Sequence, residues 1–309
     1  MQQIRTDLAM ESRDCAGALG GIRSRTFRHD HIEETHVSIE TEEAAQALHK
    51  APGQYITLSY PALLHAEALE RQALSRALAD ALRGLLPPFG DLLVIGLGNR
   101  HITADALGNR VIESLMITRH MRQVTQESLR GRLRGVCAAA PGVLGVTGME
   151  TAEVVQGMVE HVRPAAVIAI DALAARESAR IGTTIQVTDT GIQPGSGVGN
   201  HRMGLTRETL GVPVVAIGVP MVVYAAVIAR DALTLLLQDM GIQEEQHEQA
   251  MDALVDKVTR QGLGELVVTP REVDELVGKV GQVIARGINL ALQPRLTEEE
   301  IELLTHDSL

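Results

Sequence analysis

Short apolar runs, each stopped by Gly, Pro, Asn or Asp, punctuate the chain: LLVIG at 92–96, AAVIAI at 165–170, TTIQV at 183–187 and VVAIG at 214–218. Near-continuous β-branched apolarity of this kind predicts strands buried on both faces. YITLSY, at 55–60, alternates apolar with polar positions and is expected at a sheet edge. Between these runs the apolar period lengthens to that of a helix. It does so over 65–86, from Asp105 to Thr118 through Leu107, Val111, Ile112, Leu115 and Met116, and in TAEVVQGMVEHV from Thr151. Such alternation predicts an α/β fold with a mainly parallel central sheet and helices on both faces.

The last seventy or so residues read as helical throughout, with Thr269, Pro270 and Glu272 as one capping-box start and Thr297 with Glu300 as a second. No Gly-, Ser- or Pro-rich linker precedes them. The helical part, 242–309, is therefore expected to pack on the same domain, which makes 1–309 a single α/β domain. The segment 211–229 carries no charge and has the length of a membrane span. Pro213, Gly218 and Pro220 break it, so it reads as a strand over 214–218, a Gly-Val-Pro turn and a buried helix from about 221.

Composition narrows the function classes. A chain of 309 residues with 45% hydrophobic content can bury a sizeable core. Its 28 Lys and Arg against 39 Asp and Glu leave a formal charge of -11, which repels a phosphate backbone, and 2% aromatic content provides no base-stacking platform. No direct nucleic-acid partner and no membrane are expected. Cys15 and Cys137 are far apart and suit neither a disulfide framework nor a zinc cluster, which fits a reducing cytoplasm. The first residues lack a basic stretch followed by an apolar one, so no signal peptide is expected.

In parallel sheets, sites gather beyond the carboxyl ends of the strands. That rule selects Asp105 in GLGNRHITADALG, Asp171 after AAVIAI, and Asp189 in TDTGIQPGSGVGN. Two carboxylates held close together do not both ionise easily, so one keeps a proton while the other activates water. Position alone leaves a second reading open, with Asp105 an ordinary helix N-terminal acid and Asp171 a strand-end cap. Gly96 and Gly98 begin a dinucleotide fingerprint that His101 breaks, and the Gly-rich 191–199 lacks the Lys and Ser/Thr ending of a phosphate loop. His29, His31 and His36 lack regular ligand spacing and read as a polar loop or edge segment, and Cys137 reads as a buried core thiol. No cofactor and no metal are expected.

Several longer motifs resemble the germination protease family of spore-forming bacteria. They run from IRTDLA through GLGN with DALG, APGVLGVTGMET, VIAIDALAAR, TTIQVTDTGIQPGSGVGN and LGVPVVAIGVP to VVTPREVD, and so span nearly the whole chain. The resemblance implies an atypical aspartic-type endopeptidase that degrades small acid-soluble spore proteins in the spore core during germination. It implies Asp105 and Asp171 as the catalytic pair, a homotetramer, and a zymogen that shortens its own N-terminus. The family cuts after an acidic residue followed by an apolar one and Ala, which fits Asp7, Leu8 and Ala9 and implies a short pro-segment, 1–7, cut between Asp7 and Leu8. Tyr224 stands where family members commonly have Asp, and 238–262 is shorter than in relatives. The spacing of GLGN and DALG is also similar to hydrogenase maturation proteases. That likeness implies an alternative, a nickel-dependent or nickel-sensing endopeptidase, although no third ligand such as His is identified in the matching loop. A non-catalytic protein that binds spore proteins is the other alternative.

Overall fold

The computed structural model describes residues 6–16, 19–123, 129, 131–193, 203–240, 257 and 266–306. In chain order the elements are α1 (Ala9–Ala16), β1 (Ile22–His29), β2 (Ile32–Ile39), α2 (Glu42–Leu48), β3 (Gly53–Ser59), α3 (Ala68–Leu85), β4 (Leu92–Gly96), α4 (Leu107–Glu113) and β5 (Val136–Ala139). Then come α5 (Leu144–Thr147), α6 (Thr151–Val162), β6 (Ala166–Ala175), β7 (Thr184–Thr188), α7 (Arg207–Leu210), β8 (Val214–Tyr224), α8 (Ala225–Asp239), β9 (Val267–Val268), α9 (Val273–Leu292) and α10 (Glu298–His306).

The strands form one sheet in the order β1-β2-β3-β7-β8-β6-β4-β5, with β9 beside β8. Strands β8, β6, β4 and β5 run parallel, because their connections cross over through helices; three of them are apolar runs, the fourth run, β7, is antiparallel, and β5 was not expected. Strands β1, β2, β3 and β7 extend the sheet antiparallel. The α/β architecture with a parallel heart is the one the strand–helix alternation predicts.

Several local expectations are corrected, among them the all-helical reading of 242–309, since 267–268 form β9 beside β8, and the helix expected over 105–118, since α4 covers only Leu107–Glu113. β3 is interior, since β1 and β2 pair outside it. The β1–β2 hairpin hid in the sequence because β1, IRSRTFRH, is exposed along nearly its whole length and carries no apolar period. β8 does not turn at Gly218–Pro220; it continues to Tyr224, and α8 starts at Ala225. A bulge at Leu173/Ala174 explains this, for Leu173 pairs with Pro220 and Ala174 with Val222, so Met221 is the extra residue and the missing N–H of Pro220 falls at the irregularity.

Each face of the sheet has its own cover. One face packs Val94, Ile168, Ile170, Ile185, Val187 and Ile217 against α3, α4, α9 and α10. The C-terminal helices thus lie on the sheet's main core, with α9 alongside α3 and α4. Thr297 and Glu300 do form the reciprocal box, at 2.8 and 3.2 Å. Thr269 does not, because its hydroxyl donates to the Met221 carbonyl at 2.9 Å and α9 begins later, at Val273. The opposite face is divided: α6 covers Leu93, Ile95, Val167 and Ala169, while the N-terminal residues, α2 and α8 cover the rest. No helix among the described residues is long and apolar enough to cross a membrane.

Candidate active site

β4 pairs with β6 only as far as Gly96 opposite Ile170. Asp171 is the next residue, so it sits where β6 loses its β4 neighbour. The expectation that the strand ends there is corrected, since β6 goes on beside β8 to Ala175. Alternation fixes which way Asp171 faces. Val167 and Ala169 pack under α6, Leu173 and Ala175 pack against Leu8, and Asp171 lies on their face of β6. The residue is 6% exposed, and its Oδ1 accepts the N–H of Ala172 at 3.0 Å.

Asp105 reaches the same region from the loop after β4. It ends a short 3-10 turn, Thr103–Asp105, which packs against β6 and β8. Its Oδ2 accepts the Asn99 N–H at 2.7 Å, and Asn109 Nδ2 donates to the Gly98 carbonyl at 3.3 Å, so the loop is closed on itself. The glycines of GLGN and DALG have a steric task here, not a phosphate-binding one. Gly98 has φ 97°, and a Cβ on it would lie 1.8 Å from the Asp105 carbonyl oxygen; a Cβ on Gly108 would lie 2.5 Å from the Leu97 amide. The Leu97 N–H donates to the Ile170 carbonyl at 2.8 Å, which ties the loop to the residue before Asp171. Asp105 thus lies on the turn beyond the carboxyl end of β4, and Asp171 lies within β6 just past the point where β4 stops pairing with it. A cleft of about 290 Å³ opens beside this loop, between Asn99, His101 and Asn109 on one side and Pro141 and Thr147 on the other.

The N-terminal residues lie on Asp171's face of the sheet. Asp7 is bonded twice to Ala174: its N–H donates to the Ala174 carbonyl at 3.1 Å, and its Oδ2 accepts the Ala174 N–H at 2.9 Å. Leu8 is fully buried against Leu173, Ala175, Val223 and Val227. Gln186 spans it, with Nε2 donating to the Asp7 carbonyl at 3.2 Å and Oε1 accepting the Ala9 N–H at 2.7 Å. Lys50 Nζ donates to the Thr6 carbonyl at 3.0 Å.

Farther along, Glu11 is buried. Its carboxylate accepts the N–H groups of Arg176 and Glu177 at 2.9 and 3.1 Å and the Thr6 hydroxyl, and pairs with Arg180 at 3.2 Å. Burial pushes the Glu11 carboxyl above its ordinary range, against the pull of those hydrogen bonds and of Arg180. Burial also lowers the Lys50 ammonium, opposed by the charges of Asp7 and Glu11.

Sequence reasoning missed Gln186, Glu11, Lys50 and Arg180 as parts of this arrangement. One signal was present: a glutamine in the middle of TTIQV is a polar side chain in a strand otherwise buried, and such a group needs partners.

The remaining candidates fall elsewhere. His29 and His36 belong to the exposed β1–β2 hairpin at the sheet edge, and His31 to its turn; His36 Nε2 meets Glu34 Oε1 at 2.5 Å. No group of three or more His, Cys, Asp or Glu able to hold a metal ion occurs among the described residues. Cys137 is half-buried on β5, and burial raises its thiol pKa, which suits an unreactive thiol. Asp189 Oδ1 accepts the Gln54 N–H at 2.8 Å and so caps β3. Tyr224 ends β8. The Gly-rich loop beyond Gln193 and most of 238–262 lie outside the described residues.

Comparison with known proteins gives a consistent result. The family described as germination protease matches residues 2–262. The germination protease of Caldanaerobacter subterraneus subsp. tengcongensis is 42% identical over 318 residues, covering 98% of each chain. That of Clostridium perfringens (strain 13 / Type A) is 42% identical over 322 residues, covering 97% of this chain and 98% of its own. That of Bacillus cereus (strain AH187) is 35% identical over 357 residues, covering 98% of this chain and 97% of its own. Among solved structures, the [NiFe] hydrogenase maturation protease HycI from Thermococcus kodakarensis KOD1 aligns over 67% of this chain and 98% of its own. Its 17% identity and TM-score of 0.32 carry no argument about the site.

Proposed function

The chain belongs to the germination protease family, and from that premise we propose that it is an aspartic-type endopeptidase that degrades small acid-soluble spore proteins in the spore core during germination. In this reading Asp105 and Asp171 are the catalytic pair: one carboxylate, ionised, takes a proton from water, and the other, protonated, gives one to the leaving amine. The observation that carries the reading is the packing of the Asp105 turn against β6 and β8, near where β4 stops and Asp171 follows on β6. Burial of Asp171 supports it as well, because a reacting group shielded from bulk water acts on what is brought to it.

The same reading makes Asp7–Leu8 the self-processing bond and 1–7 the pro-segment, supported by the seating of Asp7 and Leu8 on Asp171's face of the sheet. The whole chain, 1–309, acts as one α/β peptidase domain. Assembly as a homotetramer is supported by exposed apolar residues on α8 and just after it, namely Ile228, Leu235, Leu236 and Met240. The test is incubation of the purified chain with a small acid-soluble spore protein. Discrete fragments, formed equally well in EDTA, are expected. Intact substrate in a stable complex would instead identify a binding protein, and loss of cutting in EDTA restored by one metal would identify a metallopeptidase.

A further inference from the structure

Gln186 spends both ends of its side chain on the N-terminal segment, capping the first N–H of α1 with one of them. It is 6% exposed, and both ends of its amide are engaged: Nε2 with the carbonyl of Asp7 and Oε1 with the N–H of Ala9. The two bonded groups are main-chain atoms on either side of Leu8. Asp7 lies in a bend and Ala9 opens α1, so the pair flanks Leu8 alone; a carbonyl and an N–H on either side of one residue are also what an extended peptide presents, whatever its side chains.

Ile185 and Val187 face α3 and α9, so Gln186 lies on the opposite face, which is Asp171's. In the sheet register, Gln186 pairs with Gly218 and Gly218 with Asp171, which puts the three in one row across β7, β8 and β6. Gly218, with no side chain, stands between the other two.

We infer that Gln186 is the residue that binds the substrate main chain across the cleavage point, holding the carbonyl of the residue before the cut and the N–H of the second residue after it. The inference rests on the protease reading and on Asp7–Leu8 as the processing bond. The N-terminal segment then occupies in cis the place that a spore protein takes in trans, and the seated Asp7 and Leu8 trace the path of a substrate. Gln186 touches substrate without exchanging a proton with it.

The test uses the full chain and a synthetic peptide containing Thr-Asp-Leu-Ala-Met-Glu, together with the same peptide N-methylated at the alanine, which deletes the one N–H that Oε1 accepts. Within each protein the ratio of kcat/KM for the two peptides is read, so competition from the seated segment scales both values and cancels. In the unaltered chain methylation lowers kcat/KM by about tenfold or more, the size expected of one buried hydrogen bond with a stranded acceptor. In Gln186→Ala, already about tenfold slower on the plain peptide, methylation costs less than about threefold, because the acceptor is gone. Gln186→Glu keeps an acceptor and loses the donor; it cuts the plain peptide slowly yet remains as sensitive to methylation as the unaltered chain.

An equal methylation penalty in the unaltered chain and in Gln186→Ala overturns the inference while leaving the protease reading intact. So does an insensitive Gln186→Glu, which also covers the case of an alanine variant that fails to fold. Absence of any cleavage of the plain peptide and of a spore protein by the unaltered chain sinks the protease reading, and this inference with it.

Discussion

At Gly98 a single methyl group decides whether the Asp105 loop can close. With φ at 97° and the Asp105 carbonyl where a Cβ would stand, alanine there is strained in its backbone and must also push the turn away. Gly98→Ala is expected to lower proteolytic activity by at least about tenfold while costing about 1–3 kcal/mol of stability, since the loop shifts and the sheet does not. Activity and thermal unfolding measured side by side check this; an active variant would mean that the position of Asp105 is immaterial. The sequence singled out the two aspartates because the strand runs before them are unmistakable, yet Asp171 lies within β6 and Asp105 on the turn beyond β4. It did not single out Gln186 and Glu11. Their meaning depends on which residues, distant in sequence, are laid across them, and no local pattern encodes that. Asp189 is the counterexample, a strand-end acid whose task is to cap β3.

At the scale of elements, the segment from Thr6 to Glu11 and the end of β6 behave as a plug and its seat. Leu8 is the centre of the contact, and full burial of a leucine stabilises by about 2–3 kcal/mol. Leu8→Ala should loosen the segment by about 2–5 kcal/mol, seen as faster hydrogen exchange at residues 6–11 with little change in β4 or β6. Exchange unchanged there would show that the side chain contributes nothing to seating.

The pH dependence of the same contact follows from Glu11, which faces Arg180, Glu177, the Thr6 hydroxyl and the amides of Arg176 and Glu177. Its pKa is raised on burial above the ordinary 4.5, so the seated form holds a proton that the released form gives up. The contribution is fully present below about 4.5 and is lost as pH rises through the raised value. The Tm of the unaltered chain minus that of Glu11→Gln should therefore fall with rising pH across that window and level off above it. A difference that grows with pH would reverse the assignment.

Elements were the best-predicted scale, since β4, β6, β7 and α6 follow from apolar period alone. The hairpin β1–β2 was hidden by its polar surface, and the second half of β8, 219–224, by a proline that a bulge accommodates.

For the whole molecule, a chain of net charge -11 that acts on proteins must draw its selectivity from local contacts and not from its overall field. The self-processing proposed above has a direct test. Intact-mass analysis over time should show cutting between Asp7 and Leu8, quickened by mild acidification if one aspartate must be protonated for attack. A shortened Asp171→Asn chain would point to another protease. Most direct is cleavage of a small acid-soluble spore protein by the unaltered chain, by Asp105→Asn and by Asp171→Asn, with the Tm of each recorded. The account predicts discrete fragments from the unaltered chain and none from either variant at an unchanged Tm, because an amide neither activates water nor shares a proton. Full activity in either folded variant would contradict it.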